Sequence, residues 1–178
     1  MLVLTFSFWV IFLLFLFLML GTFVLGGISA APWVPLWRSD IRRMMKIAEV
    51  KPGEIVYDLG AGDGRIIIIA AAEFKAKATG FEIATLPYLL GYTKIILKGL
   101  RGKAKLKYAN FFSQDLSKAD VICMFLTPQA MKKLKPKLEK EIKPGCRIVS
   151  YAFSLPDWPP KVVDKPNSKK ASIYLYQK

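Results

Sequence analysis

The chain has 178 residues, about one domain's worth by the usual size relation, with a formal net charge of +14 and 53% hydrophobic residues. Arg38 is the first ionisable side chain, so the whole charge sits behind an uncharged leader, which excludes a simple soluble globule; the apolar content excludes a disordered chain. Histidine is absent, which removes the commonest neutral-pH base and His-ligated metal sites, so no metal is expected and chemistry falls to carboxylates, amides, hydroxyls or a cofactor.

From Leu2 to Leu25 only Thr5, Ser7 and Thr22 interrupt an apolar run, long enough for a helix to span the ~20 residues of a hydrocarbon core. Ser29-Ala30-Ala31 resembles a signal-peptide cleavage site. However, no Lys or Arg precedes the run, and it exceeds the ~7–15 residues of a signal core. Residues 1–26 are therefore expected to be an uncleaved single-pass anchor. Arg38, Arg42, Arg43 and Lys46 follow it closely, which by the positive-inside rule puts the N-terminus outside and the remainder in the cytoplasm. Residues 27–37 read as a Pro/Trp linker whose Trp33 and Trp37 suit a membrane interface, and 38–178 read as one compact, basic domain.

Within that domain a helix is expected to about Val50, capped by Ser39 or Asp40. Apolar runs at Ile55–Leu59, Ala78–Ile83, Leu106–Phe112, Val121–Leu126 and Arg147–Phe153 read as buried strands. Helical stretches at Ile66–Phe74, Leu86–Leu100 and Gln129–Ile142 lie between most of them. That alternation specifies an α/β fold, a parallel sheet with right-handed crossovers. After the rigid Leu155–Pro160 loop, Lys161–Val163 and Ser172–Tyr176 read as two more strands, with an antiparallel closure. Cys123 and Cys146 lie inside apolar runs and read as small buried hydrophobes.

The strongest local signal is Asp58-Leu59-Gly60-Ala61-Gly62-Asp63-Gly64-Arg65, directly after the first strand and opening a helix. A dinucleotide fingerprint needs glycine where Arg65 stands, and a pyrophosphate would face Asp58 and Asp63 at close range. An acidic glycine loop suits instead a ligand without phosphate and with cationic character. Glu82, ending the second strand, can accept from both hydroxyls of a ribose. S-adenosylmethionine combines a ribose, an ammonium and a sulfonium with no phosphate.

On these residues the chain resembles the Rossmann-like, seven-strand class I S-adenosylmethionine-dependent methyltransferases over residues 32–178. More narrowly it resembles the membrane-anchored mitochondrial protein-lysine methyltransferases of the ATP synthase c subunit and the adenine nucleotide translocase. The segments that carry the narrower likeness are Pro32-Trp33-Val34-Pro35, Asp58–Ile66, Gly80–Glu82, Pro128-Gln129-Ala130-Met131, Leu134–Glu139 and Phe153–Pro160. The resemblance implies a sheet with helices on both faces and S-adenosyl-L-methionine as cofactor. It implies cofactor contacts from Asp58, Gly60, Ala61, Gly62, Asp63, Glu82 and Ile83, with Asn110 and Phe111 at the adenine edge. Asn110 departs from the family's aspartate: its amide can pair with the adenine amino group but supplies no charge.

Transfer to lysine requires a neutral amine, whose ordinary pKa is ~10.4; an apolar channel lowers it, so positioning can replace a dedicated base. Trp33, Pro35, Phe125, Thr127, Pro128 and Trp158 are the candidates for lining that channel. Gln129 can orient the amine through its carbonyl, or simply begin a helix. The expected partners are a membrane-protein lysine substrate and the lipid bilayer; nothing in the pattern specifies an oligomer. Residues 101–178 hold 17 Lys+Arg against 6 Asp+Glu, which raises nucleic acid as a rival substrate. Only 6 of the 27 cations are Arg, the residue suited to base and phosphate forks, and Leu126-Thr127-Pro128 is not the motif of exocyclic base methylation. Nucleic acid is therefore disfavoured, lipid or quinone headgroups stay open, and the lysines read as adhesion to anionic lipid.

Overall fold

In the computed structural model, which describes the backbone of residues 2–29 and 33–178 and the side chains of 5–17, 20, 21 and 33–178, the seven apolar runs pair into one sheet. Its strands are β1 (Ile55–Leu59), β2 (Lys77–Glu82), β3 (Ala104–Tyr108), β4 (Val121–Met124), β5 (Arg147–Tyr151), β6 (Val162–Asp164) and β7 (Ile173–Gln177). The spatial order is β3-β2-β1-β4-β5-β7-β6. The first five strands are mutually parallel, and β7 inserts antiparallel between β5 and β6. The order reverses between β1 and β4, which opens a crevice at the carboxyl ends of those strands.

The helices are α1 (Leu2–Ser29), α2 (Arg38–Ile47), α3 (Arg65–Glu73), α4 (Thr85–Leu97) and α5 (Pro128–Glu141). Strand side chains alternate between two cores. On one face Val121 and Cys123 of β4 join Ile41, Met44 and Met45 of α2 and Ile67 of α3. On the other, Ile122 and Met124 meet Met131, Leu134 and Leu138 of α5. Being covered on both faces, β4 is apolar at every position, as central parallel strands are. Both cysteines are buried and free. Burial pushes the Cys123 thiol well up and that of Cys146 to about 11, which leaves neither as a nucleophile at neutral pH.

Two expectations are corrected. Helix α1 runs through Gly26 and Gly27 to Ser29, so the expected linker begins as helix; Ala30, Ala31 and Pro32 lie outside the described residues. Among the described residues no helix is long and apolar enough to cross a membrane. Helix α2 is capped by neither Ser39 nor Asp40: Trp37 takes the N-cap position without a side-chain bond.

Asp40 instead lies in the first turn of α2, 4% exposed, and joins distant elements. It accepts from Arg43 at 3.1 Å and from the Tyr151 hydroxyl at 2.9 Å, with Lys170 3.6 Å away. Arg43 continues the chain of pairs to Asp164 of β6 at 2.6 Å. One buried carboxylate thus ties α2 to β5 and, through Arg43, to the sheet's far edge. Burial raises the Asp40 carboxyl, but the bonds from Tyr151 and Arg43 and the Lys170 charge outweigh it, so it is held below its ordinary 3.8. A depressed acid contributes stability that is present above the unfolded value and lost as pH falls through the folded one. Asp40→Ala should cost about 2 kcal/mol at pH 7, the range of hydrogen bonds to charged groups. The same substitution should cost less at pH 3 than at pH 7, as read by denaturant unfolding at both pH values.

Candidate cofactor and acceptor site

The glycine loop forms because β1 ends on Asp58-Leu59 and its backbone then turns onto β2. The N–H groups of Gly60 and Ala61 donate to the Phe81 carbonyl at 3.1 and 2.9 Å. Glu82, at the end of β2, closes the arrangement. Its carboxylate accepts from Gly62 N at 2.7 Å, Ile83 N at 2.8 Å and Ala84 N at 2.7 Å. A carboxylate has about four acceptor positions, so this clasp uses three and leaves about one for a bound hydroxyl. Sequence reasoning assigned Glu82 to a ribose alone; the structure adds the holding of Gly62, Ile83 and Ala84.

The acidity of the loop is unequally shared. Asp63 is met by Arg65 through two bonds, 2.9 and 2.7 Å, and by Lys94 of α4. Burial raises its carboxyl, yet these two cations hold it below the usual value. Its charge is spent inside the fold, so the repulsion expected between a phosphate and Asp63 does not arise. The close packing that brings Lys94 there requires Gly91, where a Cβ would lie 2.8 Å from the Asp63 carbonyl carbon. Asp58 is the opposite case. It is 2% exposed, its Oδ2 has no hydrogen-bond partner, and burial followed by the Glu82 and Asp63 charges pushes its carboxyl well up.

Trp33 was expected along the acceptor channel. The structure places its indole on the cofactor loop: a Cβ on Gly62 would stand 2.6 Å from Trp33 Cδ1 and 2.7 Å from Nε1. Gly62 also has φ of 53°, a left-handed conformation that favours glycine. Pro35 is exposed beside it in sequence.

At the carboxyl ends of β4 and β5 an aromatic shelf forms. Phe125 packs edge-on to Tyr151 at 5.1 Å and lies parallel to Phe153 at 6.5 Å. The Tyr151 hydroxyl, pushed up to about 12 by burial and by its bond to Asp40, cannot serve as a base near neutral pH. Thr127 caps α5, its Oγ1 accepting from Ala130 N at 3.3 Å, with Pro128 in the first turn and Gln129 exposed next to it. Asn110 Oδ1 accepts from Phe112 N at 3.0 Å, while Phe111 is buried in the α5-side core. Trp158 packs on Tyr176, rings 6.1 Å apart, also on the α5 side. Sequence reasoning missed Tyr151 and gave Phe153 no site role beyond its place in the Phe153–Pro160 segment; Lys94 was hidden from it because its partner lies 31 residues away.

The residues fit S-adenosylmethionine. A buried carboxylate oxygen without a donor, beside a second carboxylate, calls for a cationic ligand carrying N–H or O–H groups. Asp58 and Glu82 would hold its ammonium and hydroxyl groups, with Gly60 and Gly62 admitting the ligand to the backbone. The sign of the Asp58 shift makes a prediction: an acid with a raised folded value costs the ligand-free domain stability as pH rises above the unfolded value. Asp58→Asn should raise the melting temperature of the free protein at pH 7 and weaken S-adenosylhomocysteine binding at least about tenfold, the scale of one charge-assisted bond, by calorimetry. Gly62→Ala should also impair binding. In a Trp33→Ala background the stability cost of Gly62→Ala should fall to about the 1–2 kcal/mol of a left-handed alanine, as a double-mutant cycle of unfolding reads.

Comparison with known proteins agrees with this geometry. Residues 58–162 match the ANTKMT methyltransferase domain family. A protein-lysine N-methyltransferase of Saccharolobus islandicus (strain REY15A) is 45% identical over 148 residues, covering 82% of this chain and 92% of the relative. The human lysine N-methyltransferase of the ATP synthase c subunit is 33% identical over 131 residues, covering 72% of this chain, and the chain spans 54% of that relative's length. Among solved structures, an RNA methyltransferase from Salinibacter ruber in complex with S-adenosyl-L-homocysteine superposes with a TM-score of 0.77 at 29% identity, over 81% of this chain and 93% of that one. The family match over the glycine loop, the close superposition on a methyltransferase structure and the unpaired acid at the loop lead to one identification: the chain belongs to the ANTKMT methyltransferase domain family and is an S-adenosylmethionine-dependent methyltransferase.

Proposed function

We propose that this chain methylates lysine side chains of a membrane protein at the cytoplasmic face of the bilayer. The observation that carries the lysine assignment is the 45% identity, across nearly the whole of the relative, to a protein-lysine N-methyltransferase. The membrane assignment is supported by the uncharged leader before Arg38, by its helical course as α1, and by the cations that follow it. Similarity to a mouse adenine nucleotide translocase lysine N-methyltransferase, 30% identical over 134 residues, supports an embedded acceptor.

When bound, S-adenosylmethionine would supply an electrophilic methyl group to an amine that has already lost its ammonium proton to solvent. The chain's contribution is to deliver that amine neutral and in line. Phe125 and Phe153 offer apolar surface that disfavours the ammonium form, and the carbonyl of the exposed Gln129 would orient the amine. Since Tyr151 stays protonated, desolvation and alignment take the place of a base.

A second reading has a specific observation behind it, the Salinibacter ruber neighbour described as an RNA methyltransferase. Labelled S-adenosylmethionine incubated with the full chain, membranes and total RNA separates the two. Label recovered as methyl-lysine in membrane protein is expected; label only in RNA, or only in lipid, overturns the proposal. Gln129→Ala should lower kcat/KM about tenfold, the effect of one positioning hydrogen bond, with cofactor affinity unchanged.

A further inference from the structure

Helix α4 presents apolar side chains to the outside. Only Pro87, Gly91 and Ile95 are buried, a narrow line held close to the sheet by Gly91. Leu86, Leu89, Leu90 and Leu97 are 40, 45, 40 and 80% exposed, with Tyr92 at 43%. Positions 86, 89, 90 and 97 follow the spacing of one helical stripe. An amphipathic helix normally turns such a stripe inward; here it faces outward.

The surroundings of the stripe identify what covers it. Between Glu82 and Asp115 there is no acidic residue, while Lys94, Lys98, Arg101, Lys103, Lys105 and Lys107 fall in that interval. Lys94 is turned in to Asp63, but Lys98, Arg101 and Lys103, in the turn after α4, are exposed. A leucine stripe ending in uncompensated cations matches an anionic lipid interface, with apolar groups below the headgroups and cations among them. A second copy meeting the first through the same face would bring these cations together. Helix α1 contacts α4, so a bilayer that held α1 would lie close to this helix.

We propose that the outer face of α4 is a docking surface for an anionic bilayer, which lays the domain on its side and fixes the height of the cofactor crevice above the lipid. This rests on the reading of α1 as an anchor, and the test keeps the two apart. The full chain carries an environment-sensitive fluorophore at Leu89→Cys or, as control, at Lys140→Cys on exposed α5 surface; the buried Cys123 and Cys146 stay unlabelled. It is then mixed with vesicles of phosphatidylcholine and phosphatidylglycerol, and flotation and emission are read together. Flotation, with a blue shift and nitroxide-lipid quenching at 89 but not at 140, is expected. Reversing Lys98, Arg101 and Lys103 to Glu should return the label at 89 to water without loss of flotation. Flotation with a water-exposed label at 89 overturns the α4 surface and leaves the anchor standing. No flotation overturns both. A label already shielded without lipid assigns the stripe to a protein contact and overturns the proposal.

Discussion

One carboxylate holds the functional end of this molecule together. Glu82 gathers the N–H groups of Gly62, Ile83 and Ala84 and so joins the loop after β1 to the start of α4. Burying that charge is tolerable because three backbone donors surround it. The neighbouring Asp58 has no such surroundings: its unpartnered oxygen and raised pKa mark a buried acid whose charged form costs the free protein stability and which a cationic ligand would relieve. Asp63 belongs to the scaffold, its charge neutralised by Arg65 and Lys94. The seat therefore consists of one acid that builds, one that scaffolds and one that waits for a ligand.

Around this seat the fold is sparse, and unequally so. Helices α2 and α3 cover one face of the sheet while α5 alone covers much of the other, where Trp158 and the ring of Tyr176 complete the cover. Little chain is left over for acceptor recognition. What remains are the Pro-Trp segment, the first turn of α5 and the turn after β5. Because Trp33 rests on Gly62, the segment that follows α1 is in contact with the cofactor loop, so whatever holds α1 also bears on the seat. The Asp40–Tyr151 bond links α2, the next element along, to the aromatic shelf at the opposite side of the crevice.

Much of this was legible in the sequence. Strand β1 has the bounds its apolar run predicts, and the parallel pairing of the first five strands follows from the alternation of strands and helices. What escaped has a common physical character: it depends on partners far apart along the chain. Asp40 has the local signature of a helix cap, and only Tyr151, 111 residues away, makes it a buried tie. Asp63 looks like part of an acidic loop until Lys94 arrives. Trp33 suits a membrane interface by composition, and its contact with Gly62 is a matter of three-dimensional approach. The glycines at 26 and 27 suggest a linker, yet the helix passes through them, because glycine lowers helix propensity by only about 1 kcal/mol.

The carboxylate at position 82 shapes the glycine loop and would also hold the cofactor. The most direct test of that dual role is calorimetric titration of S-adenosylmethionine into the full chain and into Glu82→Ala, with circular dichroism to establish that both are folded. A folded variant without measurable cofactor affinity is expected. A folded variant that binds S-adenosylmethionine as the unaltered chain does would contradict it.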